Sequence, residues 1–136
     1  MANQATHLKE IARTMWRFRA TMWRFRADGF LCDTVLYADD SQQIKAHSVV
    51  LAAASPILRD SLGVDNAERA KPYMIQLPGC DITTLEIALR VIYTGSLENR
   101  EGTSAEMLQK VFLLLQQLGV ELDRIDGCSV THIDRH

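Results

Sequence analysis

Three cysteines, four histidines and the acidic pair Asp39-Asp40 are the residues of this 136-residue chain best suited to act as ligands or nucleophiles. Cys32, Cys80 and Cys128 stand far apart with no close pair, so neither a disulfide framework nor a zinc site is indicated. They read as buried thiols of a reducing compartment. Asp39-Asp40 precedes a serine between two β-rich runs, where short acidic side chains hydrogen-bond the backbone of a turn. No Gly-x-Ser-x-Gly, phosphate-cradling glycine loop or His-Glu-x-x-His metal motif occurs. The expectation is a protein that is not an enzyme and that needs no cofactor and no metal.

A second set of residues points to binding. Thr14-Met15-Trp16-Arg17-Phe18-Arg19-Ala20 is followed at once by an identical copy, Thr21 to Ala27. Seven residues make two helical turns to within about 20°, so the repeat prolongs one face of a helix. That face carries Leu8, Ile11, Met15, Phe18, Met22 and Phe25, spaced three and four apart, the seam of a helix that packs along another helix. Trp16 and Trp23 flank the seam. Residues 1–27 carry six cations against the single acid Glu10, a local charge of +5 that leaves −7 on the remainder of a chain whose net charge is −2. A basic segment on an acidic body is arranged to dock on its own domain, a second copy or another acidic surface.

Positioning these residues requires one compact domain, which the length and the 47% apolar content allow. Asp28-Gly29 ends the N-terminal helix, glycine readily taking the left-handed conformation of a C-terminal cap. Residues 33–38 and 42–46 read as a hairpin around Asp39-Asp40-Ser41. His47 to Ala54, apolar nearly all round and rich in small residues, predicts a buried helix. Ser55-Pro56 starts a second short helix, and Gly63 to Pro72 reads as a surface loop. Tyr73 to Leu77 predicts a third strand, stopped by Pro78-Gly79. Asp81 is a good N-cap for a helix burying Leu85, Ala88, Leu89, Ile92 and Tyr93, ended by Gly95. The last helix starts near Thr103 or Ser104, with Leu108, Val111, Phe112, Leu115 and Leu118 on one stripe. Leu113 and Leu114 widen that stripe until little of the helix is expected to face water. Residues 129–136 are expected to be a disordered tail.

From residue 7 to residue 128 the order of these signals resembles a BTB/POZ domain. The resemblance rests on Cys32-Asp33 opening the first strand, Ile44-Lys45-Ala46-His47 running into Val50-Leu51-Ala52-Ala53 and Ser55, Leu77-Pro78 before a helix, and Val91-Ile92-Tyr93-Thr94-Gly95. Leu118, Leu122 and Cys128 resemble the closing pattern. It implies an α+β fold: a helical cluster flanked by a small, mostly three-stranded sheet, with an N-terminal dimerisation helix over residues 1–27 and a core over 28–128. Against the family's usual length the first helix is longer by about one repeat, which implies a seven-residue tandem duplication. We expect residues 21–27 to dock normally and residues 14–20 to extend the helix outward.

The resemblance further implies a homodimer, with Leu8, Ile11, Met15, Phe18, Met22 and Phe25 as its interface, acting as an interaction module. It is most similar to the zinc-finger transcription-factor branch, which implies a nuclear regulator recruiting corepressor peptides. In that branch Asp33 and the position after His47 form a charged pocket; here the second position is Ser48, so the pair is incomplete. The plainer expectation is that Asp33 caps locally and His47 is a buried, satisfied histidine. Other members are substrate adaptors for a cullin scaffold of ubiquitin ligases, a cytoplasmic or nuclear role and the alternative reading here. The hydrophobic-x-Glu signal of such adaptors has no clear match over residues 62–68. Direct nucleic-acid binding is not expected of an acidic body. An arginine-rich, tryptophan-containing helix also has the composition of a membrane-surface helix, but its apolar seam already has a use in a dimer. No apolar run approaches the roughly 18 residues that span a bilayer, and the N-terminus lacks a secretory apolar core, so a soluble, intracellular protein is expected.

Overall fold

The computed structural model describes residues 2–63, 71–97 and 103–121. Helix α1 (Ala2–Asp28) leads into a hairpin of β1 (Thr34–Tyr37) and β2 (Gln43–Ala46). Helices α2 (Ser48–Ala54) and α3 (Pro56–Ser61) follow, then β3 (Tyr73–Gln76), α4 (Ile82–Thr94) and α5 (Ala105–Gln117). The sheet has the order β2-β1-β3, with β1 antiparallel to β2 and parallel to β3. Leu36 and Ile44 lie opposite one another in the hairpin, both buried, and join the core that α4 and α5 complete. Leu122, Cys128 and the tail lie outside the described residues, as does most of the expected loop between residues 63 and 72.

The helix ends follow their local chemistry. Gly29, at φ 76, donates to the Arg26 carbonyl, and Phe30 N donates to the Phe25 carbonyl at 2.9 Å. That two-bond arrangement is the Schellman cap, and its apolar contact is present as Phe25 and Phe30 packed edge to face at 4.8 Å. Asp81 accepts from Thr84 N at 2.8 Å, and Ser104 accepts from Met107 N at 3.1 Å, capping α4 and α5. Ser55 is fully buried between α2 and α3. Its Oγ accepts from Leu58 N and donates to the Leu118 carbonyl at the end of α5.

Two expected burial patterns fail. Helix α2 buries only Leu51 fully, and Val49 is 70% exposed. Seven residues make barely two turns, and α3 and α4 cover only one side of them, so apolar composition exceeded the cover available. On α5, Leu113 is 52% exposed while Val111, Leu114 and Leu115 are buried. The helix packs along α4 on one side, which leaves Leu113 facing water beside Lys110, Gln116 and Gln117. Within α4 the inward face also takes Thr84 and Val91, while Ile92 is only partly buried.

Candidate functional site

Helix α1 is 27 residues long, about 40 Å at 1.5 Å per residue. Its C-terminal third lies on the body and the rest projects. Contact is made by the second copy of the repeat: Met22 and Trp23 pack against the core, and Trp23 meets Tyr93 edge to face at 5.5 Å. The Arg26 guanidinium lies 4.1 Å above the Trp23 ring, a cation–π contact, with its Nε buried and without a hydrogen-bond partner. Arg19, the last arginine of the first copy, donates to the Thr94 carbonyl at 3.5 Å, at the C-terminus of α4. Gly95 ends α4 at a φ of 70, a conformation that favours glycine, and a side chain there would push the Arg19 guanidinium aside.

Trp23 was expected to flank the seam; instead it is a docking residue within its own chain. At about 100° per residue, the face holding Trp23, Arg19 and Arg26 adjoins that of Met15 and Phe18, their centres roughly 80° apart. The seam itself divides. Leu8, Ile11, Met15 and Phe18 are 63, 47, 51 and 63% exposed, whereas Met22 and Phe25 are partly buried on the domain. Past Phe25, which packs on Phe30, further exposed apolar residues occur that were not anticipated from the sequence. Phe30, Leu31 and Val49 are 52, 73 and 70% exposed. Leu31 also sits at φ 59, a conformation that bulky residues avoid. An apolar pair just past the helix-ending glycine was the available signal for Phe30 and Leu31.

At the root of this surface lies a closed polar cluster. His47 Nε2 donates to the Phe30 carbonyl at 2.8 Å, which leaves Nδ1 to accept from the Tyr93 hydroxyl at 2.6 Å in the neutral ring. The His47 backbone N–H donates to the same Tyr93 oxygen at 2.8 Å. Burial, partly offset by that bond, raises the Tyr93 pKa and keeps its hydroxyl protonated. His47 thereby ties the end of α1 to α4 and to the start of α2, the satisfied buried histidine that was the plainer reading.

Asp33 and Ser48 do come together. Ser48 N donates to Asp33 Oδ1 at 2.7 Å and Ser48 Oγ to Oδ2 at 2.6 Å, with Thr34 Oγ1 adding a bond of 3.1 Å. His47 provides no side-chain cap for α2, so Asp33 supplies it from the residue before β1. Burial opposes ionisation of this carboxyl, but the bonds from Ser48 and Thr34 outweigh it and hold its pKa below the ordinary carboxylate value. Both oxygens being engaged, the pair works as a clasp between strand and helix. Asp39 has a similar structural part, accepting from Gly79 N at 2.8 Å. Burial, reinforced by Asp81 and Asp39, pushes the Cys80 thiol up to about 11, and burial also raises Cys32, so neither is an activated thiolate.

Among the described residues no group of three or more histidines, cysteines and acids is placed to hold a metal ion, and no helix is long and apolar enough to cross a membrane. The fold and the exposed apolar helix define a protein-interaction module. The chain belongs to the BTB/POZ family: the family profile, described as "BTB/POZ domain", matches residues 22–121, starting at Met22 within the second copy of the repeat. Among curated relatives it is similar to Kelch-like protein 3 of Homo sapiens and Bos taurus, 34% identical over 96 residues, covering 71% of this chain and 16% of the relative. It is also similar to gigaxonin of Homo sapiens, 30% identical over 110 residues, covering 80% of this chain and 17% of that protein. The chain thus matches about a sixth of these relatives' length, and they bear the names of Kelch-like proteins and gigaxonin rather than of the zinc-finger branch expected from the sequence.

Proposed function

We propose that this chain is the homodimerisation module of a cullin-type ubiquitin-ligase adaptor. The observation that carries the dimer is the projecting stripe of α1, where Leu8, Ile11, Met15 and Phe18 are each about half or more exposed on a fold of the BTB class. Full burial of one such side chain contributes about 1.5–3 kcal/mol, and left in water the stripe invites aggregation. A second copy offers the same stripe, so a two-fold axis would bury both at once. Phe30, packed on Phe25 just past the helix, adds a further exposed apolar side chain.

Two observations favour the adaptor over a corepressor-recruiting regulator. The relatives are Kelch-like proteins and gigaxonin. The Asp33 carboxylate, which a charged corepressor pocket would require, is consumed by Ser48 and Thr34. The partners proposed are therefore a second copy and a cullin-type scaffold, with intracellular localisation following from that role. Sedimentation equilibrium tests the dimer: the parent chain should run at twice its 15.3 kDa mass and Met15→Asp/Phe18→Asp at the single mass. An unchanged mass would refute the assigned helix. Calorimetric titration with an N-terminal cullin fragment tests the scaffold, and a corepressor peptide that binds where the cullin fragment does not would restore the regulator reading.

A further inference from the structure

The dimer seam and the docking face leave a third face of α1 unused. Lys9, Arg13, Arg17 and Arg24 are all exposed and spaced four, four and seven apart. At about 100° per residue they fall within an arc of roughly 80° opposite Met22, on the far side of the helix from the seam. The stripe runs about 22 Å.

Beside the stripe, where α1 passes the end of α4, is a cavity of about 580 Å³. Trp16 and Trp23 wall it, Ala20 and Thr21 lie between them, and Arg17 and Arg24 belong to its α1 side, with no acid among the described residues that line it. Trp16 is 64% exposed, and neither the seam nor the intrachain docking accounts for it. An indole standing beside arginines over a small-residue floor is the composition of a protein-binding hot spot.

We infer that this groove binds an acidic peptide segment of a partner protein, its carboxylates lying along Arg17 and Arg24 and an apolar side chain entering between the two indoles. Arg17 and Arg24 are seven residues apart, about 10.5 Å, the spacing that carboxylates seven residues apart present on a helical partner. A bilayer fits less well. The groove is concave, and the apolar face a membrane would take up points the opposite way, so lipid reaching the arginines would meet Trp16 alone. Nucleic acid fits less well too, because the rest of the chain carries −7. The repeat would then serve two ends: its apolar positions lengthen the seam, and its Trp and Arg positions build a separate acceptor on the opposite side. This inference does not depend on the dimer reading.

The test is fluorescence anisotropy with a labelled helical 15-residue peptide of Glu, Ala and Leu, carrying Glu seven residues apart, against its Gln counterpart. The full chain should bind the Glu peptide saturably. Arg17→Glu/Arg24→Glu should weaken binding by about tenfold or more, as should Gln for Glu, and Trp16→Ala should weaken it several-fold. Each variant should keep the sedimentation mass of the parent chain, which separates this site from the dimer seam. Equal affinity for the two peptides, binding that survives the double charge reversal, or no saturable binding would overturn the inference. So would capture by phosphatidylserine vesicles or a DNA duplex without binding of the Glu peptide.

Discussion

Trp16 and Trp23 hold the same place in two identical heptapeptides, yet Trp16 stands 64% exposed while Trp23 packs against Tyr93. The same contrast separates Met15 from Met22, and Phe18 from Phe25. Local propensity is the same in the two copies by construction, and both are helical. What differs is distance from the fixed end of the helix. The Gly29 cap and the bond from His47 to the Phe30 carbonyl anchor the C-terminus of α1, so the copy next to that anchor meets α4 and the other overshoots it. Tertiary context alone sorts the two copies into a structural element and a presenting one.

Substitution at matched positions tests this division most severely. Trp23→Ala should destabilise the chain by about 3 kcal/mol, near the lower end for removing a packed aromatic, whereas Trp16→Ala should change unfolding in urea by no more than about 0.5 kcal/mol. Equal costs would erase the distinction between the copies. Trp16→Phe should leave a single indole poorly quenched by acrylamide, and Trp23→Phe one that is readily quenched. Deleting residues 14–20 yields the same polypeptide as deleting 21–27, so the shortened chain should retain only the protected tryptophan.

A smaller effect sharpens the account of the anchor. Asp33 has a depressed pKa in the folded state, so its contribution is complete above the unfolded carboxylate value near 3.9 and is lost as pH falls through the folded value. Asp33→Ala should cost about 1 kcal/mol at pH 7, and the gap between parent and variant should close in acid unfolding followed by circular dichroism. A gap that stays constant throughout the acid range would show that the cap does not depend on the carboxylate charge. Smallest of all, Arg19→Ala should shift stability by less than about 0.5 kcal/mol, because its bond to Thr94 is long and exposed.

Much of the fold was legible because local chemistry determines it. Gly29, Asp81 and Ser104 terminate or start their helices as their types require, and the Asp39-Asp40-Ser41 turn joins the two strands expected of it. The BTB resemblance located Asp33 opposite Ser48 before any geometry was available. Periodicity, however, reports that a face is apolar without saying what covers it. It therefore merged one seam from residues that divide between a partner surface and the body, and it assigned Trp23 to the margin because two apolar faces on one helix blur into a single broad stripe. Val49 and Leu113 failed for a related reason: apolar composition exceeded the cover that α3 and α4 supply. The parallel pairing of β1 with β3 joins residues about forty apart in sequence, beyond the range of turn signals.

Ser55 carries a consequence for the order of folding. Its hydroxyl joins the first turn of α3 to the last carbonyls of α5 across 63 residues. A bond with so long a loop to close forms only after the intervening chain has condensed, and such non-local closures slow folding. The amides of Leu58 and Gly119, on either side of this bond, should then exchange with solvent through one shared opening. A cavity lined by Arg19 of α1 together with Pro56 and Gly119 lies beside this bond, so the late closure also completes the surface against which the first repeat copy ends.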